Sequence, residues 1–95
     1  MITAVVLINA QVDEISDVAE AVSALDGVSE VYSVAGDVDL VAMVRVRQHE
    51  DLADVIAGRV NKVKGILSTQ TLIAFRTYSK HDLEAAFSLG VEDAD

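Results

Sequence analysis

The sequence predicts an α+β sandwich: a four-stranded antiparallel sheet, two helices on one of its faces and a C-terminal tail helix. Three observations carry this reading. Ile2–Ala10 (ITAVVLINA) is almost wholly apolar and too short for a typical helix, and Asp39–Arg47 (DLVAMVRVR) is strongly apolar in its first half. Val28–Ala35 (VSEVYSVA) and Ile66–Phe75 (ILSTQTLIAF) mix polar and apolar residues, as partly exposed strands do. Between these runs lie two stretches with apolar residues at helical spacing, each followed by a glycine.

In chain order, Ile2–Ala10 reads as a strand buried on both faces. Asp13 is placed to cap a helix whose inner stripe is Ile15, Val18, Ala19, Val22 and Leu25. Asp13, Glu14, Asp17 and Glu20 near its start and outer side suit the positive end of the helix dipole. Gly27 marks its end, and the alternating second strand, Val28–Ala35, follows. Gly36-Asp37 predicts a tight turn of the type II′ hairpin class into the third strand, Asp39–Arg47. The second helix carries Leu52, Val55, Ile56, Arg59, Val60 and Val63, with Lys62 and Lys64 near its negative end, and Gly65 stops it. Ile66–Phe75 is the fourth strand. From about Ser79 a short helix would place Leu83, Ala86 and Phe87 on one face, with residues 92–95 frayed.

This order, with two right-handed crossovers, is that of the ferredoxin-like βαββαβ sandwich. We therefore expect residues 1–78 to form the domain and 79–95 to form the tail helix and its frayed acidic end. The topology puts the first and third strands in the centre of the sheet, and these are the most continuously apolar. The second and fourth, expected at the edges, carry Glu30, Tyr32 and Ser33, and Ser68, Thr69, Gln70 and Thr71. Both helices cover one face, so an apolar second face is left bare. A patch of that kind needs a cover, which predicts an obligate dimer formed by packing sheet on sheet.

Composition narrows the function classes. The chain has 95 residues, one domain's worth, of which 52% are hydrophobic but only 4% aromatic, so the core must be aliphatic. The net charge of −9 argues against direct contact with nucleic acid or anionic membranes. All the Lys and Arg lie between Arg45 and Lys80, which serves solubility or lets acidic and basic faces meet between subunits. The absence of cysteine excludes disulfides, thiolate metal sites and cysteine nucleophiles. With neither a signal-peptide pattern nor an apolar run of about 18 residues, the expected setting is cytoplasmic.

No residue set nominates itself for catalysis or metal binding. His49 and His81 are far apart in sequence, and Asp37-x-Asp39 offers two oxygens where a hard cation wants six or more ligands. There is no Gly-x-Ser-x-Gly elbow and no glycine-rich phosphate loop, so we expect no enzyme, no metal and no cofactor. Two segments do carry recognition chemistry. Gly36, Asp37, Val38 and Asp39 combine a flexible glycine, free backbone N–H groups and two carboxylates. Thr69, Gln70 and Thr71 supply hydroxyls and an amide, the two threonines pointing the same way. Amide N–H groups and hydroxyls can receive the carboxylate of a free amino acid, and an Asp can receive its ammonium group. The same residues also have an ordinary explanation, since hairpin turns favour Gly and Asp and strands favour Thr.

At these two segments the chain resembles the effector-binding domain of the Lrp/AsnC family. Gly36-Asp37-Val38-Asp39-Leu40 is similar to that family's Gly-Asp-aromatic-Asp hairpin, and Gly65-Ile66-Leu67-Ser68-Thr69-Gln70-Thr71 to its Gly-Val-x-x-Thr-x-Thr strand. The similarity runs from Ile2 to about Phe75, with the elements in the family's order. The resemblance implies dimers paired through their sheets and assembled into octamers or decamers, with amino acids or related metabolites in clefts between dimers. Carried over, Gly36, Asp37, Val38 and Asp39 would line the cleft from one side, with Thr69, Gln70 and Thr71 contributing hydroxyls and an amide. Val38 stands where an aromatic residue is common, and no helix-turn-helix precedes the first strand, so the chain looks like a stand-alone module.

The expected function is thus an oligomeric regulatory module that binds a small ligand. One alternative is an assembly module that mixes with full-length Lrp/AsnC transcription regulators independently of ligand, and another is a small ferredoxin-like enzyme. The ACT domain shares the element order but pairs its sheets edge to edge; the bare apolar face and the Gly-Asp hairpin favour the Lrp/AsnC arrangement.

Overall fold

A computed structural model describes residues 1–78 and Lys80. The expected tail helix, with His81, Leu83, Ala86 and Phe87, lies outside the described residues. The strands are β1 (Ile2–Ala10), β2 (Val28–Ser33), β3 (Leu40–Val46) and β4 (Ile66–Ile73), and the helices are α1 (Ile15–Ser23) and α2 (His49–Ile56). They form one antiparallel sheet in the order β2-β3-β1-β4. The two most apolar strands are therefore central and the two mixed strands are edges, as the sequence predicts.

Alternation along the central strands builds the core. Ala4, Val6, Ile8 and Ala10 of β1 and Leu40, Ala42, Val44 and Val46 of β3 point toward the helices and are buried. Val18 and Val22 of α1, Leu52 and Val55 of α2, and Val60 close over them. The buried set is wholly aliphatic, with no polar or charged side chain among the described residues. On the other side of β1 and β3, Thr3, Val5, Leu7, Asn9, Val41 and Met43 are only half-buried. β1 is thus buried on one face in a single chain, not on both.

Several local expectations need correction. Asp13 does not cap α1; it sits in a 3₁₀ turn, Val12–Glu14, that precedes the helix, and no side chain caps either. That turn opens with the Glu14 N–H donating to the Gln11 carbonyl at 2.9 Å, so backbone supplies what a side-chain cap would have given. α2 ends at Ile56 and its hydrogen-bonded turns run out at Gly58 and Arg59; glycine is a poor helix former. Val60 reaches the core from a separate 3₁₀ turn, Val60–Lys62, and Lys62 and Lys64 fall beyond the helix whose dipole they were expected to complement.

The β2–β3 connection is also longer than the tight turn expected at Gly36-Asp37. β2 stops at Ser33 and β3 starts at Leu40; the Val34 N–H donates to the Asp39 carbonyl at 3.1 Å, leaving Ala35–Val38 as a four-residue loop. Asp39 is tied to β1 by its own N–H, which donates to the Ile8 carbonyl at 3.0 Å, so the chain turns back before it. β4 closes at Ile73 rather than Phe75, although the Ala74 N–H still donates to the Thr3 carbonyl at 2.9 Å.

Gly27 is required where α1 hands over to β2. Its φ of +93° is costly for other residues, and a Cβ there would lie 2.6 Å from Val55 Cγ2. The close approach lets α2 lie against the start of β2, and the Gly27 carbonyl accepts the Arg45 N–H at 2.9 Å.

Candidate functional site

The two segments singled out in the sequence lie at the same end of the sheet, separated by β1. Ile8 pairs with Leu40, the residue after the hairpin, on one side and with Thr69 on the other. Two strand spacings, roughly 10 Å, separate them. A small molecule could span that gap, yet the described residues of one chain enclose no pocket there or elsewhere.

On the hairpin side, Gly36 and Asp37 are exposed and Val38 and Asp39 half-buried. Gly36 has φ +136° with nothing within 4 Å of where a Cβ would be, so its backbone is open to a ligand's approach. Asp39 is less free than the sequence implies. Its Oδ2 accepts the Ala10 N–H at 2.9 Å, which fixes the end of β1 to the base of the hairpin and leaves one carboxylate oxygen for another donor.

On the β4 side the three residues divide. Thr69 and Thr71 oppose Ile8 and Val6, face the helices and are half-buried; Gln70 opposes Leu7, faces the other way and is exposed. The structure therefore brings Thr69 and Thr71 together and sets Gln70 apart. The Thr69 hydroxyl donates to Asn61 Oδ1 at 3.1 Å, which adds a polar neighbour from the turn after α2. Asn61 carried no signal in the sequence, because the contact depends on where the turn lands. Asn9 was also passed over in the sequence, although its polar side chain interrupts the apolar run Val5–Ile8; its Nδ2 lies 3.4 Å from the Ser68 hydroxyl.

The helix-free face is the other notable surface. Val5, Leu7, Val41 and Met43 form its centre, flanked by Tyr32 at 49% exposure and Leu72 at 46%. Glu30 and Arg45 lie at one corner, with Arg45 Nη1 3.4 Å from Glu30 Oε1. The Tyr32 phenol is held above its ordinary pKa, first by hydrogen bonding with the Glu30 carboxylate and then by desolvation, while Arg45 pulls the other way. Among the described residues, no group of three or more metal-ligating side chains comes together, and no helix is long and apolar enough to cross a membrane.

Comparison with known proteins settles the family. The sequence profile of the Lrp/AsnC ligand binding domain matches residues 3–83. The chain belongs to the Lrp/AsnC ligand-binding domain family. Its fold and its relatives are those of transcription regulators rather than enzymes. An uncharacterised HTH-type transcriptional regulator of Pyrococcus horikoshii is 33% identical over 61 residues, which is 64% of this chain and 41% of the relative. The chain thus matches about two fifths of that regulator's length. A crystal structure of a Thermus thermophilus protein is 44% identical, with a TM-score of 0.80 over 84% of this chain and 100% of that one. A transcriptional regulator of Neisseria meningitidis, solved in complex with L-Met, shares the fold with a TM-score of 0.74 at 12% identity, over 82% of this chain and 52% of that one. The hairpin and β4 segments both lie within the matched residues.

Proposed function

We propose that this Lrp/AsnC domain is a homo-oligomeric regulatory module of the cytoplasm that binds an amino acid or related metabolite between subunits. The observation that carries the proposal is the helix-free sheet face, apolar at its centre and left uncovered by α1 and α2. A face of this kind is stable in water when a second copy covers it. Dimers then assemble into an octamer or decamer, and the clefts between dimers complete the site that the described residues of one chain do not enclose.

In that cleft the exposed backbone around Gly36 and the hydroxyls of Thr69 and Thr71 receive the ligand's carboxylate. Asp37 and the spare oxygen of Asp39 receive its ammonium group. Val38 meets the side chain, and Gln70, facing the other way, is reached only by a ligand group or neighbour from that side. The regulatory neighbour solved with L-Met supports an amino acid as the ligand class. Ligand that bridges dimers stabilises the assembled state by its differential affinity for it.

The test is a thermal-shift and calorimetric screen with the standard amino acids, combined with sedimentation to follow oligomer size. At a free ligand concentration of about 100 Kd, linkage gives about 2.7 kcal/mol of added stability, a shift well within reach of measurement. No shift in melting temperature or size with any amino acid would remove the ligand assignment.

A second reading is favoured by the HTH-type relative, of which the chain matches about two fifths. The shared sheet face would let this domain mix with full-length regulators of the family and alter their assembly without a ligand. Co-purification with such a regulator, undiminished by Gly36 and Asp37 substitutions, separates this reading from the first. Direct DNA binding is not part of either, given the charge of −9.

A further inference from the structure

We propose that Glu30 and Arg45 set the register of sheet pairing by meeting the same two residues of a second copy. The inference rests on the sheet-pairing part of the proposed function and goes beyond it by naming what orients the two faces.

Strand register arranges the helix-free face as a grid. Tyr32, Val41, Leu7 and Gln70 form one row across the sheet, and Glu30, Met43, Val5 and Leu72 form the next. Asn9 and Ser68 lie beyond the first row, and Arg45 and Thr3 beyond the second. Polar residues therefore occupy two diagonally opposite corners. One holds Glu30, Arg45 and Thr3; the other holds Asn9, Ser68 and Gln70. Between them runs an apolar band of Tyr32, Val41, Leu7, Met43, Val5 and Leu72.

Band must cover band if the apolar area is to leave water, but that alone does not choose an orientation. The corners do. A charge covered by apolar side chains loses hydration without compensation, so a register laying the band over Glu30 and Arg45 is unfavourable. The corner of Asn9, Ser68 and Gln70 is neutral, so it has no net charge to offer. The charged corner is self-complementary. The contact between Arg45 and Glu30 is long, 3.4 Å, and the two side chains remain 42% and 45% exposed, so each has hydrogen-bonding capacity to spare. A two-fold copy presents Glu30 to Arg45 and Arg45 to Glu30, giving a closed cluster of four alternating charges.

The experiment uses the full chain with reversed charges. Glu30→Arg makes the corner doubly positive, and Arg45→Glu makes it doubly negative. Sedimentation equilibrium and native mass spectrometry on each variant, and on a 1:1 mixture, read the outcome, with circular dichroism confirming the fold. Each variant alone is expected to dimerise at least about tenfold more weakly than the parent, and the mixture to form heterodimers in excess of the statistical share. Dimerisation of each variant at the parent's strength, or random mixing, would overturn the proposal. A parent chain that is itself a folded monomer would instead sink the sheet-pairing reading, and the two failures are thereby distinguished. Glu30→Gln and Arg45→Gln nearly preserve side-chain size and guard against misfolding of the reversals. They are expected to weaken dimerisation and flatten its dependence on salt, and an unchanged salt dependence would also overturn the proposal.

Discussion

The Asp39 carboxylate accepts the backbone N–H of Ala10 at 2.9 Å, joining the last residue of β1 to the base of the β2–β3 hairpin. A residue expected to hold a ligand's ammonium group therefore also holds the fold. Asp39→Ala leaves that part-buried N–H without its acceptor and should lower unfolding free energy by roughly 1–3 kcal/mol, measured by urea denaturation. Asp37→Ala, at an exposed loop position, should stay within about 0.5 kcal/mol of the parent. Equal midpoints for the parent and the Asp39 variant would show that the latch contributes nothing.

Gly27 and Gly36 both have positive φ but differ in surroundings, and alanine separates the two effects. Gly36→Ala meets open space, so only backbone strain acts and the cost should be about 1 kcal/mol. Gly27→Ala adds a clash with Val55 to the same strain and should cost roughly 2–4 kcal/mol. Thermal melts of the two variants rank them, and a smaller loss at Gly27 than at Gly36 would contradict the packing described here.

Leu40 is fully buried where β3 meets the helices. With no aromatic residue nearby in the core to rearrange into the space, Leu40→Ala should leave a cavity and cost about 2–5 kcal/mol. Chemical denaturation checks this, and a loss under 1 kcal/mol would mean that the helices collapse to fill the gap.

Val41 lies at the centre of the helix-free face and is half-buried in a single chain. Val41→Asp should abolish sheet pairing, because an unpaired carboxylate would be enclosed between two apolar layers. Sedimentation is expected to show a smaller species, with a circular dichroism spectrum that retains both helix and strand. A variant that sediments like an oligomeric parent would place the contact between subunits elsewhere.

Much of the fold was legible because its signals are local. The continuous apolar character of Ile2–Ala10 and the first half of the third strand marks central strands. Ser68, Thr69, Gln70 and Thr71 mark an edge, and helical spacing at Val18, Val22, Leu52 and Val55 marks the two helix faces. The hairpin and β4 segments were likewise visible as short residue patterns, although which face of the sheet each β4 residue takes was not. Gln70 parts from Thr69 and Thr71 by simple alternation. Asn61, by contrast, enters the site only because the chain leaves α2 early at Gly58.

By itself the sequence determined the order of elements, the sheet's centre and edges, the aliphatic core and the family motifs, since each follows from propensity and periodicity along a few residues. Tertiary structure alone decided that Asp39 bonds to Ala10, that Thr69 meets Asn61, and that Glu30 and Arg45 share a corner of the open face. Those pairs are separated by 29, 8 and 15 positions. Their meeting depends on strand register and loop path, which are fixed only when the whole sheet closes over its core.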